Sequence, residues 1–135
     1  MVGKYKVITL CGSTRFKNEF MRVQKELTLK GFIVISVGLF GHSGDDITDD
    51  QKIMLDDMHK RKIDMADEIF VINPGEYIGD STRSEIEYAE ATGKKVFYLT
   101  VNPYGIKWLD DTPARGNMAN WYIHVPELSG GVDNA

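Results

Sequence analysis

Between residues 5 and 101, apolar runs of strand length alternate with segments of helical period, and this alternation limits the fold more than any other property of the chain. Residues 5–10 (Tyr-Lys-Val-Ile-Thr-Leu) read as a first strand that ends at Cys11-Gly12-Ser13. Phe16, Phe20, Val23 and Leu27 follow at spacings of three and four, the stripe of an amphipathic helix that stops at Lys30-Gly31. Residues 32–37 are apolar almost throughout, as in a strand buried on both faces of a parallel sheet. After a Gly-rich polar loop over 38–46, Thr48 or Asp49 can cap a helix carrying Ile53, Met54 and Met58 and running to about Ala66. Residues 68–73 form a third strand, broken by Pro74-Gly75. A helix from Thr82 to about Thr92 ends at Gly93, and residues 94–101 give a fourth strand.

The order β-α-β-α-β-α-β predicts an α/β fold: a parallel sheet with helices on both faces and strands in the spatial order 2-1-3-4. Beyond residue 101 the signals are those of turns (Asn102-Pro103, Thr112-Pro113, Gly116-Asn117). Residues 121–125 can add a fifth, edge strand, for an order 2-1-3-4-5, and residues 128–135 read as a frayed tail. At 135 residues, with no repeat or dividing linker, the expectation is one domain over 1–135, with a core at 5–101 and an irregular segment at 102–135. A net charge of -4 argues against a dedicated nucleic-acid or membrane binder. A single cysteine, Cys11, cannot form an internal disulfide and points to a reducing cytoplasm, and the start of the chain has no signal-type apolar segment.

Ligands of open parallel sheets bind at the carboxyl ends of the strands, so the loops there are the candidate site. The loop after the first strand, Gly12-Ser13-Thr14-Arg15, has phosphate character: a glycine for close approach, two hydroxyls near a helix start, and a planar cation. It lacks the spacing of a Walker loop or of a dinucleotide fingerprint. After the third strand, Gly79-Asp80-Ser81-Thr82-Arg83-Ser84-Glu85 places a carboxylate in the first turn of the expected helix, where free N–H groups and the dipole would keep it ionised. Such a carboxylate suits a nucleophile, but Thr82-x-x-Glu85 equally fits a capping box.

These motifs together resemble the nucleoside 2-deoxyribosyltransferase superfamily. The residues that carry the likeness are Leu10-Cys11-Gly12-Ser13-Thr14-Arg15, Asp67 ahead of the third strand, and Asp80-Ser81-Thr82-x-x-Glu85-Ile86-x-Tyr88-Ala89-x-x-x-Gly93-Lys94. The first loop is most similar to that of the 2'-deoxynucleoside 5'-phosphate N-hydrolases. The resemblance implies a flavodoxin-like (Rossmann-like) three-layer sandwich, a homo-oligomer, no cofactor, and cleavage or exchange of the N-glycosidic bond of a small nucleoside or nucleotide. It also implies Glu85 as the nucleophile, Asp67 as the carboxylate handling the leaving base, and Gly12, Ser13 and Arg15 as phosphate contacts; Thr14, Asp80 and Ser81 complete the expected substrate-binding set. The chemistry requires an ionised carboxylate and a proton donor, as in glycosidases.

The chain departs from the family pattern at Thr9, where a Tyr is common, at Gly79, where an Asp is common, and at Ser81 in place of a Gly. Asn73-Pro74-Gly75 with Ser81-Thr82-x-x-Glu85 is also faintly similar to the motif of cytokinin-activating phosphoribohydrolases, with Glu76 in place of that family's second glycine. A non-catalytic nucleotide-binding module on the same fold is a further reading. Elsewhere, His59-Lys60-Arg61-Lys62 reads as a solvated helix end rather than a basic rim that attracts a phosphate, and Asp45-Asp46 and Asp56-Asp57, which could hold a cation, read as solvated acids for want of ligand spacing. Cys11 reads as a small buried filler with no base beside it, His42 as a loop residue that could face the base, and no metal spacing links Cys11 to His42, His59 or His124.

Overall fold

The structure, a computed structural model, describes residues 2–40, 46–100 and 132–133. Its centre is a four-stranded parallel sheet built from β1 (Val7–Gly12), β2 (Ile33–Ile35), β3 (Glu68–Ile72) and β4 (Lys95–Tyr98). The strands lie in the order β2-β1-β3-β4, every neighbouring pair parallel. Helices α1 (Lys17–Leu29), α2 (Asp49–Asp64) and α3 (Asp80–Ala91) make the crossovers that parallel neighbours require. The arrangement is an open α/β sheet compatible with a Rossmann-like fold.

Strand alternation decides which helix covers which face. Ile8 and Leu10 of β1 and Phe70 and Ile72 of β3 pack with Phe20, Val23 and Leu27 of α1. The intervening Cys11, Ile69 and Val71 pack instead with Ile63 of α2 and with Ile86 and Ala89 of α3. A period of two along buried strands therefore yields two cores, one on each face.

Several sequence expectations need correction. The first strand begins at Val7, not at residue 5: Lys4–Tyr5 forms a separate two-residue antiparallel ladder with Val132–Asp133. The five-strand order 2-1-3-4-5 is therefore not what the described residues show; the two further strands they contain pair with each other outside the main sheet, and residues 121–125 lie outside the described residues. The second strand is shorter than 32–37. The apolar residues Ile53, Met54 and Met58 that mark this helix in the sequence are exposed, and the residues α2 buries are His59 and Ile63. The cap of α2 is Thr48, whose side chain accepts from Gln51 N–H while the Gln51 side chain accepts from Thr48 N–H, a complete capping box. No helix among the described residues is long and apolar enough to cross a membrane.

Gly12 has a specific task where β1 leaves the sheet. Its φ is +153°, and a β-carbon there would stand 2.6 Å from the Ile72 carbonyl oxygen at the end of β3. The close approach that requires glycine is thus between two strand ends, rather than between backbone and ligand.

Candidate active site

The carboxyl ends of the strands open into a cleft of about 610 Å³. Gly12, Ser13, Thr14 and Arg15 form one wall, Asp80, Ser81, Thr82 and Glu85 of α3 another, and Lys52, Asp56, His59 and Lys62 of α2 a third. The two loops singled out in the sequence are thereby brought to one place, with Glu85 between them.

Helix α3 starts at Asp80 with Gly79 as its N-cap and no side-chain capping bond. Thr82 is therefore the third residue of the helix and Glu85 the sixth, which removes the capping-box reading. Both belong to the stripe Thr82, Glu85, Ile86 and Ala89 that the helix buries at spacings of three and four. Glu85 is only 8 % exposed. Second-turn placement weakens the hold of the helix dipole, and burial, reinforced by the charge of Asp56, pushes the Glu85 carboxyl up from 4.5 to about 7. Lys52, the Cys11 thiol and Lys60 oppose that shift without cancelling it. The expectation that Glu85 stays fully ionised is thus overturned: at neutral pH it sits near its midpoint.

Its surroundings were not foreseen. The Cys11 thiol stands within 4.8 Å of the Glu85 carboxyl, and burial, followed by the Glu85 charge, pushes that thiol well above its usual range. His59 Nε2 lies 3.9 Å from Glu85 Oε1. Burial, followed by the charge of Lys62, lowers His59 from 6.5 to about 4. Between about pH 4 and 7 both members of the pair are predominantly uncharged, so the contact is not an ion pair. The Leu10 backbone opposes the lowering of His59 without cancelling it, and the buried Nε2 of His59 has no hydrogen-bond partner. Lys62, read as part of a solvated end, is half-buried; its Nζ donates to the Ser36 carbonyl at 2.9 Å, and burial lowers its pKa. These α2 residues do carry a signal in sequence: Lys52, Asp56, His59 and Lys62 recur at spacings of three and four, a polar stripe facing inward.

The phosphate-type loop is held in shape by its own groups. Ser13 Oγ accepts from the Arg15 amide at 3.3 Å and from Arg15 Nε at 3.1 Å. The Arg15 guanidinium lies over the Tyr77 ring, 4.4 Å from its centroid, and Tyr77 in turn meets Phe16 edge-on. Among the described residues no carboxylate pairs with Arg15. Neither Ser13 nor Thr14 caps α1, which begins at Lys17 behind Phe16. Across the cleft, Lys52 Nζ bonds Asp56 at 2.8 Å and Ser81 Oγ at 3.1 Å. Asp80 is exposed at the helix start.

Asp67 is the exception. It precedes β3, and in a parallel sheet the beginnings of strands lie at the edge opposite their carboxyl ends. There its Oδ2 accepts from the Val7 amide at 2.8 Å and its own amide donates to the Val7 carbonyl at 2.8 Å. It does not line the cleft. Thr9, the departure from the family's Tyr, donates to the Lys62 carbonyl at 2.9 Å and so ties β1 to α2. His42, Asp45 and His124 lie outside the described residues. No protein-family model matches the chain, and no curated protein matches it significantly.

Proposed function

We propose that this chain is a nucleotide N-glycosidase of the nucleoside 2-deoxyribosyltransferase type, cleaving the base–sugar bond of a (deoxy)nucleoside 5'-monophosphate through Glu85. The observation that carries the reading is the position of Glu85: a buried carboxyl opening into the same cleft as Gly12–Arg15 and the uncapped start of α3. Arg15 with the Ser13 and Thr14 hydroxyls on one side, and the first-turn N–H groups of α3 with Ser81 on the other, suit a dianionic phosphate. The fraction of Glu85 that is ionised attacks the anomeric carbon. The bond to the base nitrogen breaks, its electron pair leaves with the base, and the base takes up a proton. Water then hydrolyses the glycosyl ester and regenerates the carboxylate. A transferase differs only in the second step, where another base replaces water.

The finer architecture, a flavodoxin-like three-layer sandwich, belongs to the same proposal, as do a cytoplasmic location and a homo-oligomer. The exposed Ile53, Met54 and Met58 of α2 support an oligomer. The test is to incubate the protein with a panel of nucleoside 5'-monophosphates and to follow free base. Release that disappears in Glu85→Gln supports the enzyme; binding of a nucleotide without release makes the chain a nucleotide-binding module. The raised pKa of Glu85 favours one second reading, in which this carboxyl donates a proton instead of attacking. A nucleophile gives activity that rises as pH passes through about 7, and a proton donor gives activity that falls there.

A further inference from the structure

From the cluster beneath the cleft we infer a binding site for one thiophilic divalent cation of the Zn²⁺ class, held by Cys11, His59 and Glu85. This goes beyond the glycosidase reading and does not depend on it. The three side chains come from β1, α2 and α3, all are buried, and their donor atoms lie within 4.8 Å of one another. In a tetrahedral zinc site with bonds of about 2.0–2.3 Å, donor pairs stand about 3.3–3.8 Å apart, so side-chain adjustment alone closes the set. His59 Nε2 at 3.9 Å from Glu85 Oε1 is nearly there already.

The second observation is the state of His59. The residue is 6 % exposed and its Nε2 has no hydrogen-bond partner. That atom stands 3.9 Å from Glu85 Oε1, on the side of the cluster. A buried imidazole whose Nε2 has no hydrogen bond and stands close to a thiol and a carboxyl is placed as metal-binding histidines are. Sulfur, imidazole and carboxylate together suit zinc better than magnesium or calcium, which prefer oxygen alone. On binding, the Cys11 thiol gives up its proton and Glu85 gives up any it carries, so two anionic ligands balance the dication. His59 and Glu85 line the cleft while Cys11 lies behind them. The fourth position then faces the cleft, as in zinc sites that take water or a ligand. The charges acting on the cluster are those of Asp56 in favour and of Lys52, Lys60 and Lys62 against. An occupied site ties up Glu85 and so blocks its attack on a nucleotide.

The test is titration of the chelator-treated full chain with Co²⁺ alone, followed by Zn²⁺ competition, with no nucleotide present. We expect one equivalent of Co²⁺ to give a thiolate-to-cobalt charge-transfer band together with four-coordinate visible bands, and one equivalent of Zn²⁺ to bleach both. The charge-transfer band is lost in Cys11→Ser and in Cys11→Ala, with folding of each checked by circular dichroism. Absence of the band in wild type, or its persistence in either folded cysteine variant, overturns the site. The readout is separate from base release: a chain that releases no base but shows the band keeps the metal site and loses the glycosidase reading, and the reverse outcome does the opposite.

Discussion

Two carboxylates at opposite edges of the parallel sheet are held in opposite ways. At the edge where strands begin, Asp67 accepts the Val7 amide, Lys94 donates to the Ala66 carbonyl at 2.7 Å, and Tyr88 donates to Asp64 at 2.6 Å. These groups are satisfied, and they fix how helix ends meet strands. At the edge where strands end, Glu85 and His59 are buried in near contact with both pKa values displaced, and His59 Nε2 is left without a hydrogen bond. Burying a carboxyl and an imidazole in this way opposes stability. One carboxylate thus closes a structural joint, while the other is held buried with a raised pKa, which marks it as a candidate for function.

The largest effect that can break this contrast is on activity. Glu85→Gln should lower base release by about 10³-fold or more, the scale of a lost principal catalytic group, whereas Asp67→Ala should change it by no more than a fewfold. Steady-state rates for both variants on the same nucleotide decide the matter, and a large loss in Asp67→Ala would return that residue to the chemistry.

The second effect is on stability against pH. Glu85 has its folded pKa raised from 4.5 to about 7, so its contribution is most favourable below 4.5 and is lost as pH rises to about 7, a loss of about 3 kcal/mol. His59 is the mirror case: with its pKa lowered from 6.5 to about 4, its contribution is full above 6.5 and is lost as pH falls through 4. From these two groups alone, slopes of opposite sign nearly cancel between about 4.5 and 6.5. Chelator-treated Glu85→Gln should therefore gain stability as pH rises from 4 to 6.5, and should exceed wild type at pH 8. Urea melts across that range measure it, and parallel curves for the two proteins would show that Glu85 is not perturbed.

Much of this organisation was legible in the sequence. The sheet could be read because buried strands and amphipathic helices carry different periods, and the cleft could be read because loops at strand ends share an edge. Glu85 was found, but through a helix start placed at Thr82 instead of Asp80, which put it at the dipole when it lies in the second turn. His59 was misread, and Cys11, correctly read as buried, was read without its neighbour Glu85, because nothing local in either segment reports that α2 packs across the end of β1. Asp67 was misplaced by following motif similarity over strand direction: a residue one step before a strand lies at the strand's beginning, away from the cleft.

Two smaller effects sharpen the comparison. Arg15→Ala should weaken binding of a nucleoside 5'-monophosphate by about 1.5–3 kcal/mol, the scale of a hydrogen bond to a charged group, and leave the free nucleoside nearly unaffected. Calorimetry on the pair of ligands checks it, and equal losses would mean that the loop does not read phosphate and would favour a nucleoside transferase. At the opposite edge, Asp67→Ala should cost about 1 kcal/mol of folding stability through the lost Val7 bond, measured by denaturant midpoint.

The central claim, that Glu85 is the reacting carboxylate, is tested most directly by trapping the intermediate. A 2'-fluorinated nucleoside 5'-monophosphate slows hydrolysis of the glycosyl ester, and intact-mass and peptide mass spectrometry then locate the adduct. The account predicts one added sugar-phosphate per chain, attached to Glu85 and absent in Glu85→Gln. An adduct on another residue, or base release that continues unchanged in Glu85→Gln, would contradict it.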